Sequence, residues 1–239
     1  MEYLFLLSSI GLGALSVFAF KLYEPQHVKL LNAFTGAYLL CLTLLHLWPE
    51  LYHAHGATGS ANPMLIGVLI MAGFYTQVAL DVVSMGVEHG HAHHLHGRMP
   101  FGIVTGLCLH GLVEAMALGN EHTHYDPASR RLLLWSIVLH NYPVSIALLG
   151  MLLQSGMCRN RALSLLGLFA LMAPLGLTLS AYTTLGNYSR QLMAFVIGIF
   201  MHISTTILFE SSDIHRFNLA KLGAIVIGTV LGFLSVLIH

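Results

Sequence analysis

Charged side chains are scarce in this sequence. Asp, Glu, Lys and Arg make up only 8% of the 239 residues, whereas about a quarter of a soluble domain is charged. The ten basic and ten acidic residues cancel, so no net charge attracts nucleic acid or another polyelectrolyte. Apolar residues reach 56%, which argues against a soluble globular domain and indicates a membrane protein.

Cysteine is rare and histidine is abundant. The three cysteines, Cys41, Cys108 and Cys158, are isolated and form no CxxC pair. This spacing predicts neither a disulfide framework nor a thiolate zinc site. The sixteen histidines are the unusual feature. Because histidine is the commonest metal ligand and titrates near neutral pH, the positions of the histidines bear directly on function.

Long apolar runs recur along the chain. A run of about 20 apolar residues crosses a bilayer as one helix. Eight such runs occur, at approximately 2–20, 29–49, 63–85, 101–119, 132–154, 162–182, 190–209 and 218–238. The first run lacks the basic start of a signal peptide, so we expect it to be retained. We predict an all-α polytopic membrane protein with eight transmembrane helices in a single domain, residues 1–239.

Basic residues predict the orientation, because they are enriched in cytoplasmic loops. With the N-terminus outside, the inner connections and their flanks hold seven basic residues: Lys21, Lys29, Arg98, Arg159, Arg161, Arg216 and Lys221. The outer connections hold three: Arg130, Arg131 and Arg190. The imbalance predicts that both termini lie outside and that the loop of about 86–99 is cytosolic, although the adjacent Arg130 and Arg131 argue weakly for the reverse.

Two spans carry ionisable residues at membrane depth, where such groups are costly and usually mark a site. Span 4 has His110 near its centre and Glu114 one turn later on the same face. Span 5 has His140 near its centre. The two spans form an antiparallel hairpin around residue 125, and each histidine is 15 residues from that point. The histidines are therefore expected at one depth.

Two imidazoles and a carboxylate at one depth predict a metal site with three protein ligands, completed by Asn141 or water. Pro143 supports this prediction, because a helix irregularity in a membrane is tolerated where the freed backbone group lines a cavity. The alternative is that Pro143 only bends the span and that the histidines hydrogen-bond within the bundle. The coincidence of two level histidines with a carboxylate favours the metal site.

Weaker candidates for a transport pathway are polar residues on other faces or at other span ends: His46, Glu50, Asp81, Ser136, His202 and Glu210. His46 and Glu50 share a face at the predicted outer end of span 2, where a vestibule for metal and an interfacial anchor with Trp48 fit equally well. His202 and Glu210 follow one stripe of span 7, which predicts either a proton or metal route or interhelical hydrogen bonds.

The connection between spans 3 and 4 is a histidine-rich tract with six candidate ligands: Glu88, His89, His91, His93, His94 and His96. Tracts of this composition bind metal ions, and histidine ligands lose the metal when they are protonated. We favour capture, release or sensing of metal over a solvated linker without a role.

Taken together, these features resemble the ZIP (Zrt/Irt-like) family of divalent metal transporters over nearly the whole chain. The shared features are eight spans with both ends outside, the histidine-rich cytosolic loop and the ending of span 2 at residues 45–50. The family pattern His-Asn-x-Pro-Glu-Gly of span 4 corresponds to His110-Gly111-Leu112-Val113-Glu114-Ala115. The pattern His-Glu-x-Pro-(His/Glu) of span 5 corresponds to His140-Asn141-Tyr142-Pro143-Val144.

The resemblance implies that His110, Glu114 and His140 are metal ligands and that Asn141 occupies a ligand position in altered form. It also implies passive or proton-influenced movement of metal towards the cytosol, with one helix bundle sliding against a dimerising one.

The chain departs from the family at three ligand positions. ZIP proteins typically build a two-metal centre, but here Gly111, Val144 and Ala173 stand where the family has ligands. The remaining groups are expected to hold one metal rather than two.

We therefore predict a transporter, not an enzyme, for which Zn²⁺ is the substrate and Fe²⁺, Mn²⁺, Co²⁺ and Cd²⁺ are alternatives. The expected partners are the metal ion, the lipid bilayer and a second copy of the chain. The expected location is a bacterial inner (plasma) membrane. Two alternatives are an intramembrane zinc-dependent hydrolase, for which no nucleophile or oxyanion donor is evident, and a bis-histidine haem electron carrier.

Overall fold

The computed structural model of this chain describes residues 2–20, 25–53, 62–84, 101–119, 127–184, 188–209 and 219–237. The regular structure in these ranges is helical throughout. The helices are α1 (Glu2–Phe20), α2 (Pro25–Leu42), a π-helical turn (Thr43–Leu47), α3 (Trp48–His53), α4 (Pro63–Ser84), α5 (Phe101–Met116), α6 (Pro127–Gln154), α7 (Arg159–Tyr182), α8 (Ser189–Phe209) and α9 (Leu219–Leu237). The predicted all-α polytopic fold is confirmed.

The eight predicted spans correspond to these helices one for one, with α2, the π turn and α3 forming the second. Among the described residues, seven spans are long and apolar enough to cross a membrane, and Val104–Met116 of α5 forms a shorter apolar helix. The prediction that both termini lie outside is not tested by the fold and stays a prediction.

Some helix limits differ from the apolar runs. Helix α6 begins at Pro127 rather than at residue 132, because proline suits the first turn of a helix and the polar residues after it continue the same helix. The π turn in the second span was not predicted, since apolar periodicity does not distinguish a π turn from an α turn.

The helices pack in two groups. The first group contains α2, α4, α8 and α9. In it, α4 packs on α8, and α2 packs on both α8 and α9. The second group contains α1, α5, α6 and α7. In it, α5 packs on α7, and α1 packs on α6. The groups meet where α4 contacts α5 and where α2 contacts α6.

Two apolar cores meet along α5 and α6. On α6, Ile137 and Val138 belong to the core that includes α4 and α8, whereas residues from Val144 onwards belong to the core shared with α1 and α7. On α5 the same change of core occurs between Leu107 and Ala115. His110 on α5 and His140 on α6 therefore lie between the two cores.

Arg130 ties the start of α6 to two neighbouring helices. Its guanidinium contacts both carboxylate oxygens of Glu2 on α1, with Nη2 and Oε2 2.8 Å apart. Its Nε donates to the carbonyl oxygen of Leu118, just after α5, at 3.0 Å. A paired arginine of this kind holds the ends of α5 and α6 in register, which supports the alignment of the residues that they carry.

Glycines allow close backbone contacts within each group. A Cβ atom at Gly73 of α4 would overlap the carbonyl oxygen of Phe195 on α8, and Gly198 of α8 packs on α4 in the same way. A Cβ atom at Gly176 of α7 would overlap the carbonyl oxygen of Leu112 on α5. Small residues permit such approach between helices in a membrane.

We expect Gly176→Ala to lower the free energy of unfolding by about 1–3 kcal/mol, because the added methyl group forces α7 away from α5. Gly167→Ala is the matched control on the same helix, since a Cβ atom there meets no heavy atom within 4 Å. Thermal unfolding in detergent micelles compares the two variants. Equal melting temperatures would contradict a tight α5–α7 contact at Gly176.

Candidate metal centre

His110, Glu114 and His140 come together inside the protein. Their exposed fractions are 0%, 0% and 1%, and one donor atom from each lies within 4.8 Å of the other two. The imidazole rings meet edge to face, with centroids 5.6 Å apart and planes at 77°. Among the residues that the structure describes, no other set of three His, Cys, Asp or Glu side chains meets in this way.

The spacing of these donor atoms suits one metal ion after a small adjustment. The ligands of a tetrahedral Zn²⁺ lie about 2.0–2.2 Å from the ion and hence about 3.3 Å from one another. His110 Nε2 and Glu114 Oε1 are 2.9 Å apart, and the widest pair is within 4.8 Å. Side-chain rotations that move donor atoms by about an ångström therefore bring all three onto one ion. The assignment of these residues as ligands stays a prediction.

The carboxylate of the three-residue cluster, and the amide of Asn141, which follows His140 in the sequence, are poorly satisfied by the protein. The two carboxylate oxygens of Glu114 and the amide of Asn141, which is 1% exposed, have no hydrogen-bond partner among the described residues. Glu114 Oε1 is close to His110 Nε2, but the two atoms lack the geometry of a hydrogen bond. Since buried polar groups are normally paired and a buried carboxylate is costly in a membrane, this arrangement suits a bound cation.

Gln77 of α4 also contacts the site, and sequence reasoning missed it. Its Oε1 is 3.0 Å from His110 Nδ1, and its side chain is fully buried. The Gln77 amide is uncharged, so the cost of burying an ionisable group in a membrane does not single it out. The available signal was a single glutamine in the apolar third span, one helical turn before Asp81.

Two of the candidate pathway residues pair with each other. His202 Nε2 on α8 lies 2.6 Å from Asp81 Oδ2 on α4, and the His202 ring packs edge to face on Phe74. Thr206 Oγ1 is 3.5 Å from His202 Nε2, which agrees with the predicted stripe along span 7.

Three further candidate pathway residues, Ser136, His46 and Glu50, lie within the described ranges. Ser136 is buried and donates to the carbonyl oxygen of Leu132 in its own helix at 2.8 Å. His46 in the π turn and Glu50 in α3 are partly exposed and do not join the three-residue cluster. Seven predicted residues lie outside the described ranges: Glu88, His89, His91, His93, His94, His96 and Glu210.

Apolar packing occupies the positions where the family pattern has further ligands. A Cβ atom at Gly111 would lie 3.3 Å from Cε2 of Phe169, a fully enclosed ring on α7. Val144 and Ala173 are 1% and 2% exposed and belong to the two apolar cores. These positions contribute packing and offer no donor atom.

Comparison with known proteins identifies a family. The family model for the ZIP zinc transporter matches residues 88–238. The zinc transporter ZIP9 of Micropogonias undulatus is 28% identical over 233 residues, which cover 77% of this chain and 75% of that protein. ZIP9 of Xenopus tropicalis is 27% identical over 168 residues, which cover 65% of this chain and 55% of the frog protein. Since the family match covers more than half of the sequence, this chain belongs to the ZIP zinc transporter family.

Proposed function

We propose that this protein carries Zn²⁺ across a membrane towards the cytosol and binds it at His110, Glu114 and His140. Proteins of this family are transporters, not enzymes, and the apolar helices make the chain an integral membrane protein. The observation that carries the proposal is the Glu114 carboxylate, which has no hydrogen-bond partner in the described part of the chain and is enclosed beside two imidazoles at the junction of the two apolar cores.

The donor set suits a divalent transition metal. A bilayer excludes a hydrated dication, so the protein must replace the hydration shell with its own donors. Imidazole nitrogen and carboxylate oxygen are the common ligands of Zn²⁺, and the fourth position falls to Asn141 or to water. The same donors accept Fe²⁺, Mn²⁺, Co²⁺ and Cd²⁺, which we propose as secondary substrates because ligand type alone ranks these ions poorly.

The centre is proposed to hold one ion at a time. Phe169 packs beside Gly111, and Val144 and Ala173 lie in apolar cores, so a second ion would have no ligands at these three positions. One carboxylate with two neutral imidazoles leaves a net charge of +1 on bound Zn²⁺. A residual positive charge weakens binding, which favours release into the cytosol over long retention.

We propose the following topology, assembly and metal route in addition. The chain forms one transmembrane domain with both termini outside, contacts the lipid bilayer directly and assembles as a homodimer. Its histidine-rich loop, about 86–99, captures or senses metal on the cytosolic side, and the Asp81–His202 pair lies on the route of release. The relatives come from vertebrates and give no support to a bacterial plasma membrane, which stays a prediction.

The alternative of a bis-histidine haem protein fits poorly. The imidazole rings of His110 and His140 contact each other edge to face with centroids 5.6 Å apart. This contact leaves no room for a porphyrin between the rings, whereas a single metal ion fits beside them. An absorption spectrum of the purified protein without a Soret band agrees with the metal centre.

The test is Zn²⁺ uptake by liposomes that contain the purified full-length protein and a trapped zinc indicator. We expect uptake that saturates with zinc concentration and exceeds that of protein-free liposomes, together with about one bound ion per chain by metal analysis. Ser145→Ala should take up Zn²⁺ at the wild-type rate, because Ser145 is buried on α6 but its hydroxyl donates to a carbonyl of its own helix. Uptake no faster than in protein-free liposomes would contradict the proposal.

A further inference from the structure

We propose that Gln77 is a positioning residue of the metal centre, which holds His110 in the tautomer that presents Nε2 to the metal. This inference rests on the proposed function and adds a residue from outside the helices that carry the ligands. Gln77 belongs to α4, whereas His110 and Glu114 belong to α5 and His140 to α6. Gln77 Oε1 and His110 Nδ1 are 3.0 Å apart, and both side chains are fully buried.

Asp81 determines which way the Gln77 amide faces. Gln77 Nε2 is directed at Asp81 Oδ1 at 3.5 Å, a long contact, and Asp81 Oδ2 is 2.6 Å from His202 Nε2. In this contact the amide nitrogen is the donor and the carboxylate oxygen is the acceptor. The NH₂ group of Gln77 therefore faces Asp81, and its carbonyl oxygen faces His110.

A carbonyl oxygen opposite Nδ1 requires a proton on that nitrogen. His110 Nδ1 then donates to Gln77 Oε1, and the lone pair of a neutral His110 lies on Nε2. Nε2 is 2.9 Å from Glu114 Oε1. A lone pair and a carboxylate oxygen repel each other at this distance unless a cation lies between them, so the network arranges both atoms for a metal ion.

The hydrogen bond from a ligand histidine to a second protein group is an established way to orient the ring and raise its basicity. Here that second group comes from the other helix group, at the contact of α4 with α5. Any displacement of α5 along α4 removes the oxygen from His110 Nδ1. Gln77 therefore couples the metal affinity of the site to the relative position of the two helix groups.

The test measures metal binding by the full-length protein in detergent micelles. Co²⁺ serves as the probe, because its visible absorption reports the ligand geometry, and competition with Zn²⁺ gives the zinc affinity. We expect Gln77→Leu to weaken both ions about 10–100-fold, the usual effect of removing a partner of a ligand histidine. Gln77→Asn, which withdraws the amide by one methylene group but keeps its polarity, should also bind weakly with an altered Co²⁺ spectrum.

The rescue variant is the double exchange Gln77→Glu with Asp81→Asn. It keeps the formal charge of the pair and an oxygen acceptor opposite His110 Nδ1, so affinity and the Co²⁺ spectrum should return to within a few-fold of wild type. Because glutamate and asparagine have the shapes of the residues they replace, a residue that only filled space would also tolerate this exchange. The loss of affinity in Gln77→Leu, whose side chain is similar in size to glutamine, is therefore what excludes a packing role. Thr76→Val, on the same helix, is the control and should bind as wild type does.

The outcomes separate this inference from the proposed function. If the wild type and Thr76→Val bind metal and Gln77→Leu and Gln77→Asn bind with unchanged affinity, the role of Gln77 is wrong and the metal centre stands. If the single variants lose affinity and the double exchange does not restore it, hydrogen bonding to His110 is also excluded as the cause. If the wild type itself binds no metal, the proposed function fails and this inference fails with it.

Discussion

Replacing His110 with alanine is expected to reduce Zn²⁺ uptake to the rate of protein-free liposomes. The substitution removes one of three donors that lie within 4.8 Å of one another. Loss of a residue that merely orients a ligand costs about 10–100-fold in metal affinity, so loss of the ligand itself must cost more. Neither Glu114 nor His140 can supply the missing nitrogen, because both are enclosed and already directed at the same position.

The control for His110→Ala is Leu109→Ala, one residue earlier on α5. The Leu109 side chain is 46% exposed on the outside of the bundle, so its loss should leave zinc uptake unchanged. Both variants must elute as monodisperse protein before uptake is compared, since a cavity at a buried histidine also lowers stability. Zinc uptake by His110→Ala at the wild-type rate would remove the basis for the metal centre.

Replacing Asn141 with aspartate is expected to tighten Zn²⁺ binding and slow its release. The substitution adds a second carboxylate next to His140. The ion and its ligands together then have a net charge of 0 instead of +1. Unit charges about 4 Å apart interact by about 4 kcal/mol at an effective dielectric constant of 20. Desolvation of the new carboxylate cancels much of this gain.

We therefore expect an affinity for Zn²⁺ on the order of 10–100-fold higher in Asn141→Asp, equivalent to about 1.4–2.7 kcal/mol. Maximal uptake should fall, because a more tightly held ion leaves more slowly. In the absence of metal the variant should melt below wild type, since a new buried carboxylate is unpaired. Added Zn²⁺ should raise its melting temperature by more than that of the wild type.

Asn32→Asp provides the comparison for Asn141→Asp. Asn32 is also a buried asparagine, 3% exposed, but it lies on α2, which carries none of the three proposed ligands. Its conversion to aspartate should lower stability without raising zinc affinity. If both variants bind zinc more tightly, the effect is one of general charge, and Asn141 has no particular place beside the ion.

The arrangement of His110 and His140 followed from the sequence because it depends on local geometry. The rise of an α-helix is constant, so equal distances from a turn place residues of adjacent antiparallel helices at the same depth. Glu114 followed from the i, i+4 spacing of one helix. The eight spans followed from apolar length alone, and the extra polar turn at the start of α6 did not disturb the alignment, because it extends the helix at one end.

Gln77, the Asp81–His202 pair and Phe169 could not be placed in the same way. Each of them contacts a helix that is distant in the sequence, and a single sequence does not say which faces of such helices meet. Gln77 reaches His110 across 33 positions, and Asp81 reaches His202 across 121. The π turn at Thr43–Leu47 likewise depends on backbone hydrogen bonds that side-chain patterns do not reveal.

The glycine contacts have a consequence for how the molecule deforms. Gly73 and Gly198 join α4 to α8, and Gly176 joins α7 to α5; each contact lies within one helix group and has backbone against backbone. Such contacts resist shear, because no flexible side chain lies between the helices to absorb it. Sliding is thus expected at the interface between α4 and α5. The ion would sit beside this interface, with its ligands on the side of α5 and α6 and Gln77 on the side of α4.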